Sequence, residues 1–185
     1  TIMFGHIDKP LHWARHLIKI RDLQNKSMGF TEFVPLPFVP MEAPMFLRGK
    51  SRFGPTLRES VLMHSIARLS LHPNIKNIQT SWVKMGISGI KKCLEAGAND
   101  IGGTLMNESI TRTAGAEHGQ EFPVNDMRSF IKSIGKKPVQ RTTLYKKITS
   151  PQLNQKNLNK PLKPIKNELV NRQTKKTNLI KSKSI

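Results

Sequence analysis

The sequence is poor in several residue types on which common classes of protein depend. Its 185 residues include a single cysteine, which excludes an internal disulfide framework and a metal site made only of this chain's cysteines. No run of about 18 apolar residues is present, so the sequence predicts no membrane-spanning helix. No secretory signal peptide is visible, and we expect a cytoplasmic protein. The chain starts at Thr1 rather than at methionine, which suggests a piece of a longer protein.

Acidic residues are also scarce, and the resulting positive charge is uneven. The chain carries 31 Lys and Arg against 12 Asp and Glu, for a formal charge of +19. Residues 151–185 hold nine basic residues, one acidic residue and no aromatic residue, which predicts a disordered tail after a folded domain at residues 1–150. A basic tail could bind nucleic acid. Without aromatic stacking residues a solvated extension is favoured, and neither nucleic acid nor a membrane is an expected partner.

In the first 150 residues, short apolar runs alternate with segments of helical period. The apolar runs predict strands at Thr1–Phe4, Phe30–Val34, Ile78–Thr80 and Asp100–Gly102, with a further terminal strand at Gln140–Leu144. Because helices follow the strands in turn, we expect an α/β fold in which helices cover a parallel sheet. A complete eight-stranded barrel needs about 250 residues. The pattern therefore fits either half of a barrel or an open doubly wound sheet.

The helical segments have recognisable starts and apolar faces. Pro10 begins the first helix, which we expect to end near Gln24, and Thr56 with Glu59 predicts a capping box at the start of the next. Apolar residues at helical spacing predict the buried faces of these two helices: Leu11, Ala14, Leu17 and Ile18 in the first, and Leu57, Val61, Leu62, Ile66 and Leu69 in the second. Two later helices are predicted, around Ile87, Ile90 and Leu94 and from Met127 to Ile134.

Candidate binding residues lie in the loops expected to follow the strands. The proline-rich loop 35–55 carries Arg52, which could bind a carboxylate or a phosphate or could simply be solvated. Polar clusters follow the third and fourth strands: Thr80, Trp82 and Lys84 in one, and Asp100, Thr104, Asn107, Glu108, Glu117 and His118 in the other. Buried polar groups need partners, so a ligand or neighbouring loops must satisfy them. Each residue taken alone is more often structural than catalytic.

Two other features have a simpler interpretation. His12 and His16 are four residues apart and could share a helix face as zinc ligands, but no third ligand is near, so a solvated face is favoured. Cys93 lies beside apolar residues on a predicted helix, which indicates a buried and unreactive thiol.

Several long strings of residues, in order, resemble one family of enzymes. They are Thr1-Ile-Met-Phe-Gly-His6, Gly29-Phe-Thr-Glu-Phe-Val-Pro-Leu-Pro-Phe38, Gly54-Pro-Thr56, Ile78-Gln-Thr-Ser-Trp-Val-Lys84, Gly97-Ala-Asn-Asp-Ile-Gly-Gly-Thr-Leu-Met106, Ala116-Glu-His-Gly119 and Gln140-Arg-Thr-Thr143. The chain closely resembles the C-terminal half of the tyrosine-using subunit or domain of deazaflavin (FO) synthases. The aminofutalosine synthases and futalosine cyclases of menaquinone synthesis look more distantly similar. One departure is Met28, where a glycine is expected; a β-carbon there would be strained at positive φ.

The resemblance implies the C-terminal half of a radical S-adenosylmethionine (β/α) barrel. Full-length members join the 4-hydroxybenzyl group of L-tyrosine to 5-amino-6-(D-ribitylamino)uracil on the way to coenzyme F-420, together with a cyclising subunit or fused domain. The implied cofactors are S-adenosylmethionine and a 4Fe-4S cluster held by three cysteines. Since Cys93 is the single cysteine, we expect no metal ligand in this chain and no activity from it alone.

The resemblance also implies binding roles, without identifying a catalytic residue. His6 and Asp8 would contact the adenosyl part of the cofactor, and Glu32 would hydrogen-bond an amine of tyrosine or of the uracil. Two groups would complete the substrate site: Thr80, Trp82 and Lys84 as pocket walls, and Asp100, Thr104, Asn107 and Glu108 as partners of the uracil or the ribityl hydroxyls. Arg52 is a further substrate-binding candidate on its position and charge alone.

Overall fold

The computed structural model describes residues 1–105, 107–116 and 118–148 of the chain. Three expectations lie outside the described residues: the disordered tail 151–185, the domain boundary at residue 150, and the place of Glu117 in a polar cluster. Within the described ranges no helix is both long and apolar enough to cross a membrane.

Four parallel strand segments lie side by side in chain order. β1 (Ile2–Phe4) pairs with β2 (Pro35–Pro37) along its whole length, which confirms the predicted first strand. The other neighbours are joined by single parallel bridges, Phe33 with Ile78 and Gln79 with Asp100. The segments predicted at 78–80 and 100–102 thus take their expected places, although they are shorter than predicted. The arrangement is parallel α/β.

β2 lies just after the predicted Phe30–Val34, and its two prolines explain why it pairs with β1 and not with the 77–79 segment. Successive residues of a strand direct their backbone groups to opposite sides. Phe33 bonds to the 77–79 segment, through its N–H to Asn77 O (2.9 Å) and its carbonyl to Gln79 N (3.0 Å). The prolines, two and four residues further on, direct their missing N–H groups to that same side. Pairing with β1 can therefore continue, while pairing on the other side ends after Phe33.

Six helices accompany the strands in the described residues, and two of them are single turns. They are α1 (Pro10–Ser27), α2 (Pro44–Leu47), α3 (Leu57–Leu71), α4 (Trp82–Glu95), α5 (Ile110–Thr113) and α6 (Val124–Ser133). The predicted capping box of α3 is confirmed, because Thr56 Oγ1 accepts from Glu59 N (3.2 Å) and the Glu59 carboxylate accepts from Thr56 N (2.7 Å). The single turns α2 and α5 were not predicted, since four residues are too few to show a helical period.

Met28 ends α1 in the left-handed conformation. Its φ is 51°, and its N–H donates to the Gln24 carbonyl at 2.8 Å. The positive φ falls at the position where the sequence resemblance led us to expect a glycine. A left-handed residue that carries a β-carbon costs about 1–2 kcal/mol, so the turn after α1 is strained as predicted.

The predicted buried faces of α1 and α3 are wrong. In α1 the buried residues are Trp13, Leu17 and Gln24, so of the predicted face only Leu17 is buried, and Leu11, Ala14 and Ile18 are exposed. In α3 the buried residues are Ser60, Met63, His64, Ala67 and Leu71, whereas Leu57, Leu62, Ile66 and Leu69 are exposed. Both helices carry apolar residues on more than one side, so apolar spacing alone does not reveal which side meets the sheet.

In the described part of the chain, the four longer helices α1, α3, α4 and α6 pack on one face of the sheet. α1 and α3 pack on Phe33 and Ile78 in one core, and α4 and α6 pack on Ile101 in another. Because alternate residues of a strand point to opposite sides, Gln79 and Asp100 point away from these cores. We call this opposite side the open face.

The segment after α6 forms a local turn instead of the strand predicted at Gln140–Leu144. Arg141 bridges to Lys147 in antiparallel fashion, and Thr142 N donates to the Lys146 carbonyl at 2.9 Å. The prediction of a sheet strand is therefore wrong, because the backbone of this segment pairs with its own continuation. Its side chains nevertheless reach the open face.

Candidate functional site

The carboxylate of Asp8 organises the turn after β1. It accepts hydrogen bonds from Gly5 N (2.9 Å), from His6 N (2.9 Å) and from the indole Nε1 of Trp13, and it contacts His6 Nδ1 at 2.7 Å. Burial alone would raise the pKa of Asp8, but these hydrogen bonds outweigh burial and hold the pKa below its ordinary value. The two predicted cofactor-binding residues thus lie together. The Asp8 carboxylate is already hydrogen-bonded to groups of its own chain, while the His6 side chain remains 26% exposed.

The loop that carries Arg52 lies against this turn. Arg52 N donates to the His6 carbonyl at 3.0 Å. Gly5 has a φ of 89°, and a β-carbon there would lie 2.3 Å from Pro55 Cδ, so the close approach of the loop requires glycine. The Arg52 guanidinium binds the Glu59 carboxylate at 2.9 Å. The charge of Arg52 is therefore used to hold the start of α3, and only its backbone adjoins His6.

Thr80 faces the helices instead of the open face. Its side chain is fully buried, and its hydroxyl lies beside the thiol of Cys93. His64 Nδ1 lies 3.5 Å from that thiol. Burial lowers the pKa of His64 and raises the pKa of Cys93 to about 11, so both groups are uncharged near neutral pH. The predicted buried thiol is confirmed, and Thr80 lies in the packed interior, away from the other predicted pocket residues.

Trp82 begins α4 and forms one wall of an open cleft. Its Nε1 donates to the Gly103 carbonyl at 2.9 Å, and its ring packs edge-on against Phe122 with a centroid distance of 5.7 Å. Gly86 interrupts the helix with a φ of 62°, and a β-carbon there would lie 3.2 Å from the His118 ring. The cleft beside these residues has a volume of about 320 Å³, near the lower end of the range for small-molecule sites, about 300–1,000 Å³.

Three more predicted residues gather around α5. The Glu108 carboxylate accepts from Thr111 N at 3.1 Å, and Asn107 Oδ1 accepts from Arg112 Nη2 at 2.7 Å. Lys84 Nζ lies 3.4 Å from Thr111 Oγ1. Burial lowers the pKa of Lys84, although the charge of Glu108 opposes that effect. Thr104 adjoins the cleft instead, because its carbonyl accepts from Phe122 N at 3.4 Å.

The open face carries a polar network that joins strand residues to the segment after α6. Gln79 Nε2 donates to Glu32 Oε2 at 2.9 Å. Arg141 binds two carboxylates, that of Asp100 through Nε and that of Glu32 through Nη2 at 3.4 Å. The Tyr145 hydroxyl also donates to Glu32, and the Arg141 guanidinium lies 3.9 Å from the Tyr145 ring centroid. We call Glu32, Gln79, Asp100, Arg141 and Tyr145 the open-face network.

The electrostatics of this network favour a charged arginine and a neutral phenol. Burial would lower the pKa of Arg141, but its contacts with Asp100, Tyr145 and Glu32 raise the pKa above the ordinary value. Burial and the hydrogen bond to Glu32 both raise the pKa of Tyr145. The guanidinium and the phenol therefore donate to the two carboxylates across the ordinary pH range.

Sequence reasoning did not select Gln79, Arg141 or Tyr145 as site residues. Arg141 is 41 residues from Asp100 and 109 residues from Glu32, so no local spacing links them. Gln79 and Arg141 did lie inside two of the strings that carry the family resemblance, Ile78-Gln-Thr-Ser-Trp-Val-Lys84 and Gln140-Arg-Thr-Thr143. Those strings were the available signal.

The described residues do not fit an iron–sulfur cluster. In the part of the chain that the structure describes, no group of three or more His, Cys, Asp or Glu is arranged to hold a metal ion. Cys93 is buried and its thiol pKa is raised, whereas cluster ligands are exposed to the metal as thiolates. At the turn after β1, His6 is the predicted cofactor-binding residue whose side chain keeps an exposed part, since the Asp8 carboxylate already accepts three hydrogen bonds from its own chain.

Comparison with known proteins identifies the family. The family model described as the CofH/MqnC C-terminal region matches residues 27–154. The chain belongs to this family. Two relatives of the CofH/MqnC chain are named FO synthase: that of Nocardia farcinica is 49% identical over 148 residues, which is 80% of this chain and 17% of the relative, and that of Mycobacterium tuberculosis is 50% identical over 145 residues, which is 78% of this chain and 17% of the relative.

A third relative is a shorter protein. The 5-amino-6-(D-ribitylamino)uracil–L-tyrosine 4-hydroxyphenyl transferase of Methanocaldococcus jannaschii is 47% identical over 146 residues, which is 79% of this chain and 41% of the relative. The CofH/MqnC-family chain therefore spans less than half the length of each of these relatives. The family resemblance that the sequence strings predicted is confirmed.

Proposed function

We propose that the chain is part of a transferase that joins the 4-hydroxybenzyl group of L-tyrosine to 5-amino-6-(D-ribitylamino)uracil in the synthesis of FO. The observation that carries the proposal is 47% identity over 79% of this chain to a transferase whose name contains both substrates. The two FO synthases at 49% and 50% identity support the same assignment. The expected partner is the cyclising subunit or fused domain that uses the product.

The sheet is proposed to belong to a (β/α) barrel whose interior is the open face. The strand segments follow chain order, the helices pack on one side, and the opposite side carries the open-face network, as the interior of a barrel would. Ligands of such barrels bind at the carboxyl ends of the strands. The turn at His6, the cleft beside Trp82 and the loop after Asp100 all follow strand segments directly, so they are the proposed ligand-binding parts of the chain.

Each part of the chain has a proposed task in binding. The cleft beside Trp82 would hold a substrate ring against the indole and Phe122, with Lys84, Asn107 and Glu108 near its polar groups. Glu32 and Asp100 would accept hydrogen bonds from substrate amines or hydroxyls through lone pairs that Arg141 does not use. Thr104 would adjoin the same substrate. Thr80 and Arg52 would support the site from behind, one in the core and one at the start of α3.

The radical chemistry implied by the family resemblance needs cofactors that this chain does not hold alone. S-adenosylmethionine, when bound, would supply the radical, and His6 is the residue proposed to contact its adenosyl group. Asp8 would hold His6 in place. Because the chain contains one cysteine and that thiol is buried, the cluster ligands would come from other parts of the enzyme. The 185 residues alone are therefore expected to be inactive.

A menaquinone-pathway enzyme built on the same barrel is the second candidate. The family description names two kinds of member, so the family match does not separate the two functions. The names of the relatives favour the tyrosine transferase.

The test is a graft. In the M. jannaschii transferase, the segment that matches this chain is replaced by this chain's own residues, and the purified protein is supplied with cofactors, L-tyrosine and the ribitylaminouracil. The adduct is measured by mass spectrometry. The proposal predicts adduct at a rate within about tenfold of the parent, which corresponds to about 1.4 kcal/mol in barrier height.

Two controls make the result decisive. L-Phenylalanine, which lacks the phenolic hydroxyl, replaces L-tyrosine in a matched reaction, and the cluster content of the graft is compared with that of the parent. A graft that loads its cofactors like the parent but forms no adduct contradicts the proposal. Turnover of a menaquinone-pathway substrate by that graft would favour the second candidate.

A further inference from the structure

The open-face network is connected to the loop after the fourth strand segment by one continuous set of hydrogen bonds. Arg141 Nε binds Asp100 Oδ2, and the other oxygen of that carboxylate accepts from Gly102 N at 2.6 Å. The Gly103 carbonyl, one residue further, accepts from Trp82 Nε1 at 2.9 Å. The guanidinium thus reaches the indole at the wall of the cleft through a single carboxylate and a two-residue turn.

The geometry of Gly102 shows that this turn has little freedom. Its φ is 76°, and a β-carbon there would lie 2.9 Å from Gln79 Oε1. Gln79 is itself held, because its amide nitrogen donates to Glu32 at 2.9 Å, and Glu32 binds Arg141 and Tyr145. The turn is therefore fixed from two sides, by Asp100 and by Gln79, and both sides end at Arg141.

Charge explains why an arginine is needed at this place. The Asp100 side chain is 7% exposed and that of Glu32 is 31% exposed. A carboxylate withdrawn from water needs an opposite charge or several donors. In the described residues, the cationic side chain that contacts both Asp100 and Glu32 is that of Arg141. Its planar fork can serve both carboxylates, which a lysine ammonium cannot do with the same geometry.

We propose that Arg141 is a positioning residue of the candidate site, which holds Asp100 and Glu32 and thereby fixes the Gly102–Gly103 turn and the indole of Trp82. Only the expected effect of Arg141 on catalysis rests on the proposed function. The structural coupling from Arg141 to Trp82 is independent of what the substrate is. Tyr145 assists by stacking on the guanidinium and by donating to Glu32.

The structural coupling can be measured on the 185-residue chain by fluorine NMR. Trp13 and Trp82 are its two tryptophans, so fluorotryptophan labelling gives two signals. Arg141→Gln is expected to shift or broaden the Trp82 signal and to leave the Trp13 signal in place. Arg141→Lys should give an intermediate change. Arg128→Gln is the matched control, because Arg128 is a partly exposed arginine of α6 whose side chain lies 3.5 Å from Gln140 Oε1.

The NMR experiment distinguishes a loss of positioning at Trp82 from a general loosening of the fold. General loosening of the fold would move both tryptophan signals, whereas loss of positioning moves that of Trp82 alone. An Arg141→Gln chain with unchanged circular dichroism and an unchanged Trp82 signal would overturn the proposal. Movement of both signals to the same degree would overturn it as well, because the effect would then be merely structural.

The catalytic consequence is measured in the grafted transferase. Arg141→Gln is expected to raise the KM for the ribitylaminouracil about tenfold while kcat stays within about twofold, since a misplaced binding wall weakens substrate and transition state alike. A fall in kcat with unchanged KM would overturn the proposed role in positioning. If the graft with Arg141 intact forms no adduct, the proposed function fails, while the NMR experiment still decides the coupling.

Discussion

Replacement of Asp8 tests how the turn after β1 is built. Three donors converge on its carboxylate, namely Gly5 N, His6 N and the indole of Trp13, and the side chain is 12% exposed. Each buried donor left without a partner costs about 1–3 kcal/mol. Asp8→Ala leaves all three unpaired, so we expect it to lower the free energy of unfolding by about 4 kcal/mol. Asp8→Asn keeps one oxygen but turns an NH₂ toward a donor, so we expect it to lower the free energy of unfolding by about 2 kcal/mol.

The pH dependence sharpens this prediction. The pKa of Asp8 is lowered in the folded chain, whereas an unfolded aspartate titrates at about pH 3.9. Asp8 therefore stabilises the fold fully above about pH 4, and that contribution is lost as the pH falls through the lowered folded pKa. The difference between wild type and Asp8→Asn should shrink over this acid range.

The assay is denaturant unfolding followed by circular dichroism at several pH values. Asp22→Asn is the matched control on α1, because the Asp22 side chain is 57% exposed and lies 3.8 Å from Arg21. We expect that control to stay within about 0.5 kcal/mol of wild type, as most surface substitutions do. If Asp8→Asn matched the control, or if its deficit did not depend on pH, the carboxylate would not be organising the turn.

Three further predictions follow from the described contacts. Met28→Gly should stabilise the chain by about 0.5–1 kcal/mol in denaturant unfolding, because it removes the β-carbon of a left-handed residue. The control Lys26→Gly, inside the last turn of α1, should destabilise the chain by about 1 kcal/mol. A loss of stability in Met28→Gly would contradict the strain at Met28. Tyr145 is the single tyrosine, and burial together with the hydrogen bond to Glu32 raises its pKa. The tyrosinate absorbance of the folded chain should therefore not develop at about pH 10, where a free tyrosine ionises. The chain should instead lose stability as the pH rises above about 10; ordinary titration while the fold persists would contradict the contact. Burial lowers the pKa of His64, so the free energy of unfolding should fall as the pH drops below about 6.5, where the unfolded imidazole takes up a proton. His64→Gln should make that fall shallower. If the dependence of the free energy of unfolding on pH were unchanged in His64→Gln, His64 would not be its cause.

Local rules predicted the parts of the fold that depend on neighbouring residues. The capping box at Thr56 and Glu59 and the start of α1 at Pro10 each involve residues within a few positions of one another. Their physics is contained in a short window of sequence, so the pattern alone was sufficient.

The choice of buried helix face could not be predicted in the same way. α3 carries one apolar stripe at Met63, Ala67 and Leu71 and another at Leu62, Ile66 and Leu69. Both stripes have helical spacing, and the first lies against the sheet because Phe33 and Ile78 offer a complementary apolar surface there. That decision is made by tertiary packing.

The candidate site shows the same division. Polar residues after each strand segment indicated where ligand-binding loops would lie, and the family resemblance directed attention to His6, Asp8 and Trp82. Neither indicated that Arg141 crosses the open face to bind Asp100 and Glu32, since these contacts join residues far apart in the chain. Nor did they indicate that Thr80 points into the core, which depends on the side of the strand that α3 and α4 cover.

The central claim is that these residues help transfer the benzylic part of L-tyrosine to the ribitylaminouracil, and position-specific isotope labels test it most directly. The grafted transferase is supplied in parallel with L-tyrosine labelled in the ring and β-carbon and with L-tyrosine labelled in the α-carbon and carboxylate. Transfer of the 4-hydroxybenzyl group requires scission of the Cα–Cβ bond of tyrosine, so the first label should appear in the uracil adduct and the second should not. An adduct that contains the α-carbon label, or a fully loaded graft that leaves both labels in free tyrosine, would contradict the account.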